Sequence, residues 1–130
     1  MISFPQHLTR SPSILSVGLE KPSKLITAAD NSLLVAESGT SAPNTGRISV
    51  VNRTNGARQT LINGLPSGVN NLGGPPEPSG PSGLALRGNT LYVSIGVGNA
   101  VMNVGGPGLE SPNPNPSSPL FDSVLELTLP

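Results

Sequence analysis

The chain has 130 residues, enough for one domain with a modest core, and its seven basic and seven acidic residues give no net charge. Binding to nucleic acid or anionic lipid requires clustered Lys or Arg, which this sequence lacks. No apolar run is long enough for a transmembrane helix, and the absence of cysteine excludes disulfides and thiolate metal sites.

Short runs rich in Val, Ile and Leu, each bounded by turn residues, predict an all-β chain. In chain order the predicted strands are Ile14–Val17, Lys24–Ala28, Ser32–Glu37, Arg47–Asn52, Arg58–Ile62, Gly83–Arg87, Thr90–Ile95 and Ser123–Thr128. Tight hairpin turns are predicted at Asp30-Asn31, Asn55-Gly56 and Gly88-Asn89, because Asn and Gly tolerate a positive φ.

Two long segments rich in Gly and Pro, Gly64–Gly83 and Gly105–Pro119, interrupt this series of strands. Neither can be a central strand, because Pro cannot donate to a sheet and Gly loses the most backbone entropy on folding. They have two interpretations. They are flexible insertions, or they are ordered loops that build a binding surface on one face of the protein.

An internal repeat organises the chain. The segment PSKLITAADNSLLVAESG, from Pro22 to Gly39, recurs as PSGLALRGNTLYVSIG from Pro81 to Gly96. Beyond each hairpin a further strand follows, and Ile48–Asn52 aligns with Asp122–Glu126. A four-stranded unit of about 40 residues that occurs in series is typical of β-propeller blades. We therefore predict part of a propeller, about two blades long.

This prediction divides the chain into an irregular N-terminus and a partial propeller. The predicted parts are residues 1–13 (irregular), 14–17 (end of a preceding blade), 22–63 (first blade) and 80–130 (incomplete second blade), with the two Gly/Pro-rich loops at 64–83 and 105–119. A blade pair exposes open sheet edges, which propellers cover by closing a ring. The missing blades of a longer protein, or other copies of this chain, are therefore expected partners.

Three segments, GLEKPSKLITAADNSLLVAESGT, GRISVVNRTNGARQTLINGLPSG and GPSGLALRGNTLYVSIGVG, resemble the blades of the ScyD/ScyE family. These bacterial proteins are NHL-like six-bladed propellers. The resemblance runs from Ile14 to Thr128, and Glu37–Thr40 and Gly64–Ser67 match the family motifs well. It implies a secreted or periplasmic protein without a firmly assigned reaction, although the first residues lack the pattern of a signal peptide.

Related six-bladed lactonases hold calcium with carboxylate and Asn side chains near the propeller axis. This resemblance makes Glu37 and Asn99 the candidate metal ligands. Calcium prefers six or more oxygen ligands, so these two residues alone would form only part of a site. Ile95 stands at the position of Glu37 in the second unit. The alternative is that Glu37 accepts hydrogen bonds from the loop Ser38–Thr40 that follows it.

The leading functional prediction is a non-enzymatic interaction or structural module, a fragment of a longer exported ScyD/ScyE-like protein. Its two loops would bind a protein or small ligand at the propeller face, an inference by analogy with other propellers. The alternative is part of a calcium-dependent lactonase or hydrolase-like enzyme. No catalytic residue and no cofactor other than calcium is predicted, and Tyr92 is expected to pack in the core.

Overall fold

The computed structural model describes residues 12–106 and 108–130, and it confirms the all-β class over those residues. The strands are β1 (Pro22–Thr27), β2 (Ser32–Glu37), β3 (Gly46–Asn52), β4 (Arg58–Leu65), β5 (Gly68–Asn70), β6 (Glu77–Ser79), β7 (Pro81–Arg87), β8 (Thr90–Ile95), β9 (Val101–Asn103), β10 (Glu110–Pro112) and β11 (Val124–Thr128). This described part contains no helix that could span a membrane. Most of the predicted irregular N-terminus lies outside it.

Two antiparallel sheets form the body of the structure. The first sheet has the order β1-β2-β3-β4, and the second has the order β11-β8-β7. The predicted turns are confirmed, since Asn31, Gly56 and Gly88 have φ values of 64°, 73° and 57°. From Lys24 onward every predicted strand is present, and its ends are shifted by at most three residues.

The first predicted strand, Ile14–Val17, has no sheet partner among residues 12–106 and 108–130. Its side chains are open to solvent, with Ile14 82% and Val17 71% exposed. A strand that belongs to a preceding blade would find no sheet within this chain to join. The interpretation of 14–17 as the end of such a blade therefore stays a prediction.

The two hairpins of the repeat share one register. Pro22 pairs with Glu37 in the first sheet, and Pro81 pairs with Ile95 in the second. In both sheets a β-bulge follows directly after the proline. A bulge at the same position in two units is a strong sign of a shared design, because bulges redirect a strand at defined places. The hairpin alignment read from the sequence agrees with this geometry.

The alignment of the third strand was wrong by two residues. Ala36 pairs with Ile48 in the first sheet, and its equivalent Ser94 pairs with Val124 in the second. Ile48 therefore corresponds to Val124 and not to Asp122. Asp122 lies before β11 in the left-handed region, with φ 61°. Since the shift is even, the side chains stay on the same faces of the sheet.

The hydrophobic core lies between the two sheets. We define the inner face of each sheet as the face in this core. The first sheet's inner face carries Leu34, Ala36, Ile48 and Val50, and the second sheet's carries Leu84, Leu91, Val93, Ile95 and Leu125. Ile48, Leu91 and Val93 are completely buried. Burial of apolar side chains is the main force that holds the sheets together.

The two units pack head to tail. When their sequences are aligned, residues on the inner face of one sheet correspond to residues on the outer face of the other. Val93 on the second inner face corresponds to Val35, which lies on the first sheet's outer face beside Ser49. Conversely, Leu34 on the first inner face corresponds to Tyr92 on the second outer face. Packing of this kind joins two different faces of the repeated unit.

The second sheet's outer face corresponds in the repeat to the first sheet's inner face, and it is the more polar of the two. Tyr92, Ser94 and Glu126 take the places of Leu34, Ala36 and Val50. Tyr92 is half-buried on this outer face and does not belong to the core cluster, contrary to the expectation from the sequence.

The two sheets make a close contact at Gly46 of β3 and Pro81 of β7. A Cβ atom on Gly46 would lie 2.5 Å from the Cδ atom of Pro81, so only glycine fits there. The carbonyl oxygen of Pro81 also accepts hydrogen bonds from the hydroxyls of Ser23, at 2.7 Å, and Ser38, at 3.3 Å. These polar contacts fix the position of the second sheet against the first.

Candidate functional site

Glu37, one of the two candidate ligands, ends β2 on the outer face of the first sheet and is completely buried. Its Oε1 atom accepts hydrogen bonds from the backbone N–H of Glu20, at 2.7 Å, and from Nε of Arg47, at 2.8 Å. Its Oε2 atom accepts a bond of 2.5 Å from the hydroxyl of Ser49. The carboxylate is therefore surrounded by protein donors.

Arg47 compensates the buried carboxylate. Its Nη2 atom lies 2.8 Å from Oε1 of Glu37, and the side chain is only 15% exposed. The pKa of Arg47 is raised above its ordinary value, mainly by the hydrogen bond to Glu37 and further by the charges of Glu37 and Glu20, against the opposing effect of burial. Nη2 also donates to the carbonyl of Gly18, at 2.5 Å.

The donors to Glu37 are not the ones expected from the sequence. The amides of Ser38 and Gly39 donate to the carbonyls of Lys21 and Glu20, and the amide of Thr40 donates to the hydroxyl of Thr45. The expectation of bonds from Ser38–Thr40 was therefore wrong. The loop turns away from the carboxylate to pair with the segment before β1.

The buried ion pair holds the segment Gly18–Glu20 against the sheet. Glu37 binds the amide of Glu20, and Arg47 binds the carbonyl of Gly18. The second unit has Ile95 in place of Glu37 and buries that residue in the core. Because Glu37 and Arg47 position this backbone segment, we regard the arrangement as structural.

Asn99, the other candidate ligand, lies in the loop between β8 and β9. Its Oδ1 atom accepts a hydrogen bond of 2.9 Å from the amide of Ser117, whose hydroxyl lies 3.2 Å from the same oxygen. Its own carbonyl accepts a bond of 2.8 Å from Nδ2 of Asn113. Asn99 thus fastens the Gly/Pro-rich loop 105–119 to the end of the second sheet.

Glu37 and Asn99 do not fit a shared calcium ion in this arrangement. The carboxylate of Glu37 is neutralised by Arg47, and a second cation beside that guanidinium would be repelled. Asn99 has its side-chain oxygen bound to Ser117. No cluster of three or more His, Cys, Asp or Glu side chains suited to a metal occurs in residues 12–106 and 108–130.

The structure brings the two Gly/Pro-rich segments together around Ser67. Ser67 is fully buried, and its hydroxyl donates to the carbonyl of Ser38 at 2.6 Å. Its carbonyl accepts a bond of 3.0 Å from the hydroxyl of Ser117. One segment thus contacts the other directly, at the end of the sheets where β2 and β8 finish. We call Ser67, Asn99, Asn113 and Ser117 the loop junction.

Short two-stranded ribbons give both segments an ordered backbone. Strands β5 and β6 pair within the first segment, and β10 within the second segment pairs with β9, which precedes it. At the turn that joins β5 to β6, an open concavity of about 310 Å³ is lined by Asn70, Gly73, Gly74, Pro75 and Glu77. Both segments therefore contain strands and meet at the loop junction; the binding surface stays a prediction.

Sequence reasoning missed the residues that build this end, which include Arg47, Ser67 and Ser117. The one available signal was the motif Gly64–Ser67, whose serine proves to be buried. Among the described residues every buried side-chain polar atom has a hydrogen-bond partner, so none points unpaired into a cavity. No protein-family model, curated protein or solved structure matches the chain.

Proposed function

We propose that this chain is a non-enzymatic structural and interaction module built from two consecutive propeller-type blades. The single observation that carries the proposal is the head-to-tail packing of two equivalent sheets, with Leu34 on the inner face of one and its equivalent Tyr92 on the outer face of the other. Repeated packing of unlike faces is how a radial array of blades grows.

The resemblance to the ScyD/ScyE family adds the wider context of the proposal. In that context the chain contributes two blades to a longer, exported six-bladed propeller. The four-stranded order β1-β2-β3-β4 of the first sheet fits one blade, and the three strands of the second fit an incomplete one. The strand orders of the two sheets support the proposed architecture.

The loop end is the proposed binding surface. The hydrogen bonds of the loop junction hold both segments in place before any partner binds. A surface that is ordered in advance loses less conformational entropy on association, which favours affinity. The connection between β9 and β10 also presents apolar side chains to solvent, since Val104 is 60% and Leu109 56% exposed. A protein or small ligand bound at this end is the proposed partner.

We expect that Asn99→Ala will loosen the loop junction and leave both sheets folded. The substitution removes the acceptor of the Ser117 amide, and the loss of a hydrogen bond costs about 1 kcal/mol or more. Hydrogen exchange should show the amides of Asn113 and Ser117 exchanging roughly tenfold faster, with the amides of β8 unchanged. Asn115→Ala, an exposed change in the same loop, is the matched control.

The same exchange measurement on the unaltered protein can contradict the proposal. If the amides of Asn113 and Ser117 exchange as fast as in an unfolded chain, the segments are flexible insertions and no surface is formed in advance.

The enzymatic alternative is tested by the effect of calcium on Tm. A rise in Tm on addition of calcium, abolished by Glu37→Gln, would favour the calcium-dependent hydrolase over the binding module.

A further inference from the structure

A polar cavity of about 410 Å³ lies beside the buried ion pair, near the start of β3 and the end of β4. Its lining includes Glu20, Asn44, Arg47, Thr60 and Asn63. The volume falls in the range of about 300 to 1,000 Å³ that is common for small-molecule sites. Most such sites are largely apolar, whereas none of the described residues that line this cavity carries a large apolar side chain.

The cavity belongs to the loop end of the molecule. Glu37, the last residue of β2, pairs with Arg47 near the start of β3, so the cavity lies at the end where β2 finishes. Gly64, the first residue of the first Gly/Pro-rich segment, borders it. A ligand in this cavity would therefore occupy part of the proposed binding surface.

The buried ion pair fixes two polar groups at the wall of the cavity. Arg47 uses Nε and Nη2 to bind Glu37 and the carbonyl of Gly18, and its Nη1 atom lies 3.9 Å from Oε1 of Glu20. Glu20 is itself held by the bond from its amide to Glu37. Nη1 is therefore the guanidinium nitrogen left to donate to a ligand, next to a carboxylate that can accept. Groups fixed in advance lose little entropy on binding.

The charges around the cavity balance. The carboxylates are those of Glu20 and Glu37, and the guanidinium groups are those of Arg47 and Arg58, whose Nη1 donates to the hydroxyl of Thr60 at 3.2 Å. Two positive and two negative groups so close together give little net attraction for either an anion or a cation. The cavity therefore favours an uncharged ligand.

The lining offers donors and acceptors side by side. Asn44 and Asn63 are exposed, and each side-chain amide supplies two donors and one acceptor. The Glu20 carboxylate only accepts, the Arg47 guanidinium only donates, and the hydroxyl of Thr60 does both. A ligand that satisfies this mixture needs neighbouring groups that both donate and accept. Adjacent hydroxyls on a sugar ring are such groups.

We propose that this cavity binds a neutral saccharide, with Nη1 of Arg47 donating to one sugar hydroxyl and Glu20 accepting from its neighbour. The inference deepens the proposed binding function, on which it rests, by naming the class of ligand. Because the lining buries little apolar area, the affinity comes from hydrogen bonds that replace those to water. We therefore expect a Kd on the order of 1 to 10 mM for a single hexose.

Nuclear magnetic resonance titration of the full chain with glucose, galactose and mannose tests the proposal. With at least one of these hexoses the side-chain amide signals of Asn44 and Asn63 should shift and saturate. The side-chain amide of Asn89, in the turn between β7 and β8, should not shift. The charged analogues glucuronate and glucosamine should bind no more tightly than the neutral hexose, because the charges at the cavity balance.

Two variants locate the binding site. Asn63→Ala, and Asn44→Gly, which suits the positive φ of 57° at that position, should each weaken binding about fivefold through the loss of a hydrogen bond. The matched control is Gln59→Ala, since Gln59 is exposed and neighbours Thr60 in β4 but alternates to the other side of the sheet. This control should leave the Kd unchanged.

The inference is overturned if none of the three hexoses gives a saturating shift, or if neither variant weakens binding. Binding of glucuronate or glucosamine ten times tighter than that of the hexose would also overturn it, because the cavity would then be an ion site. Hydrogen exchange at the loop junction tests the proposed function separately. A protected junction without hexose binding defeats this inference alone, and an unprotected junction defeats the preformed loop surface whatever the hexose does.

Discussion

Replacement of Glu37 by alanine is expected to lower the free energy of unfolding by about 3 to 5 kcal/mol, because it leaves Arg47 without its buried partner. The substitution also removes the acceptor of the Glu20 amide and the Ser49 hydroxyl. Urea unfolding followed by circular dichroism measures the loss. The exposed Glu110→Ala should change the free energy of unfolding by less than about 0.5 kcal/mol.

The second unit suggests a variant in which the buried ion pair is replaced by the uncharged residues found at the equivalent positions. Ile95, Ser123 and Leu125 occupy the places of Glu37, Arg47 and Ser49 in the repeat. The triple change Glu37→Ile, Arg47→Ser and Ser49→Leu should regain most of the stability lost in the alanine variant, since apolar replacement of a buried ion pair is often neutral. A loss of less than about 1 kcal/mol in Glu37→Ala would contradict the role assigned to the pair.

Ile48→Ala and Val124→Ala should differ strongly although the two positions are equivalent in the repeat. Ile48 is fully buried between the sheets, so its truncation should cost about 2 to 5 kcal/mol. Val124 lies on the second sheet's outer face and is 66% exposed, so its truncation should cost less than about 0.5 kcal/mol in dilute solution. The same unfolding measurement compares both variants.

This pair of variants tests how the sheets face one another. Equal losses of unfolding free energy in Ile48→Ala and Val124→Ala would mean that the same face of the repeat is buried in both sheets of a single chain. Head-to-tail packing of two units does not allow this.

Most of the fold could be predicted because its signals are local. Alternating apolar residues marked the strands of both sheets, and Asn31, Gly56 and Gly88 marked their turns. The register of the third strand could not be derived in the same way. A long loop separates β8 from β11, and Asp122 takes a left-handed conformation just before the strand begins. Nothing in the apolar pattern fixes where such a strand starts.

The strands within the loop segments were missed for a different reason. Strands β5, β6, β9 and β10 have three residues each, and Pro78 in β6 argues against a central strand. In a ribbon of two strands every strand is an edge, so a proline whose nitrogen faces outward is tolerated. Composition marked these segments as unusual but did not show that they contain strands.

The contacts of the candidate site could not be predicted without the tertiary structure. The resemblance identified Glu37 as a candidate ligand, but the partners of its carboxylate include backbone as well as side chains and are not adjacent to it in sequence. The amide of Glu20 lies 17 residues before it, in a segment that crosses the outer face of the sheet. Arg47 is its neighbour across the β2–β3 pair, which strand pairing could have indicated.

Methyl–methyl nuclear Overhauser effects test the head-to-tail packing of the two equivalent sheets most directly. We expect cross-peaks that join Leu34 and Ile48 to Leu91 and Val93. None should join Val35 or Val51 to the second sheet in a dilute sample, because those side chains lie on the opposite face of the first sheet. Cross-peaks from Val35 or Val51 to Leu91 or Val93 would show that like faces meet and would contradict head-to-tail packing.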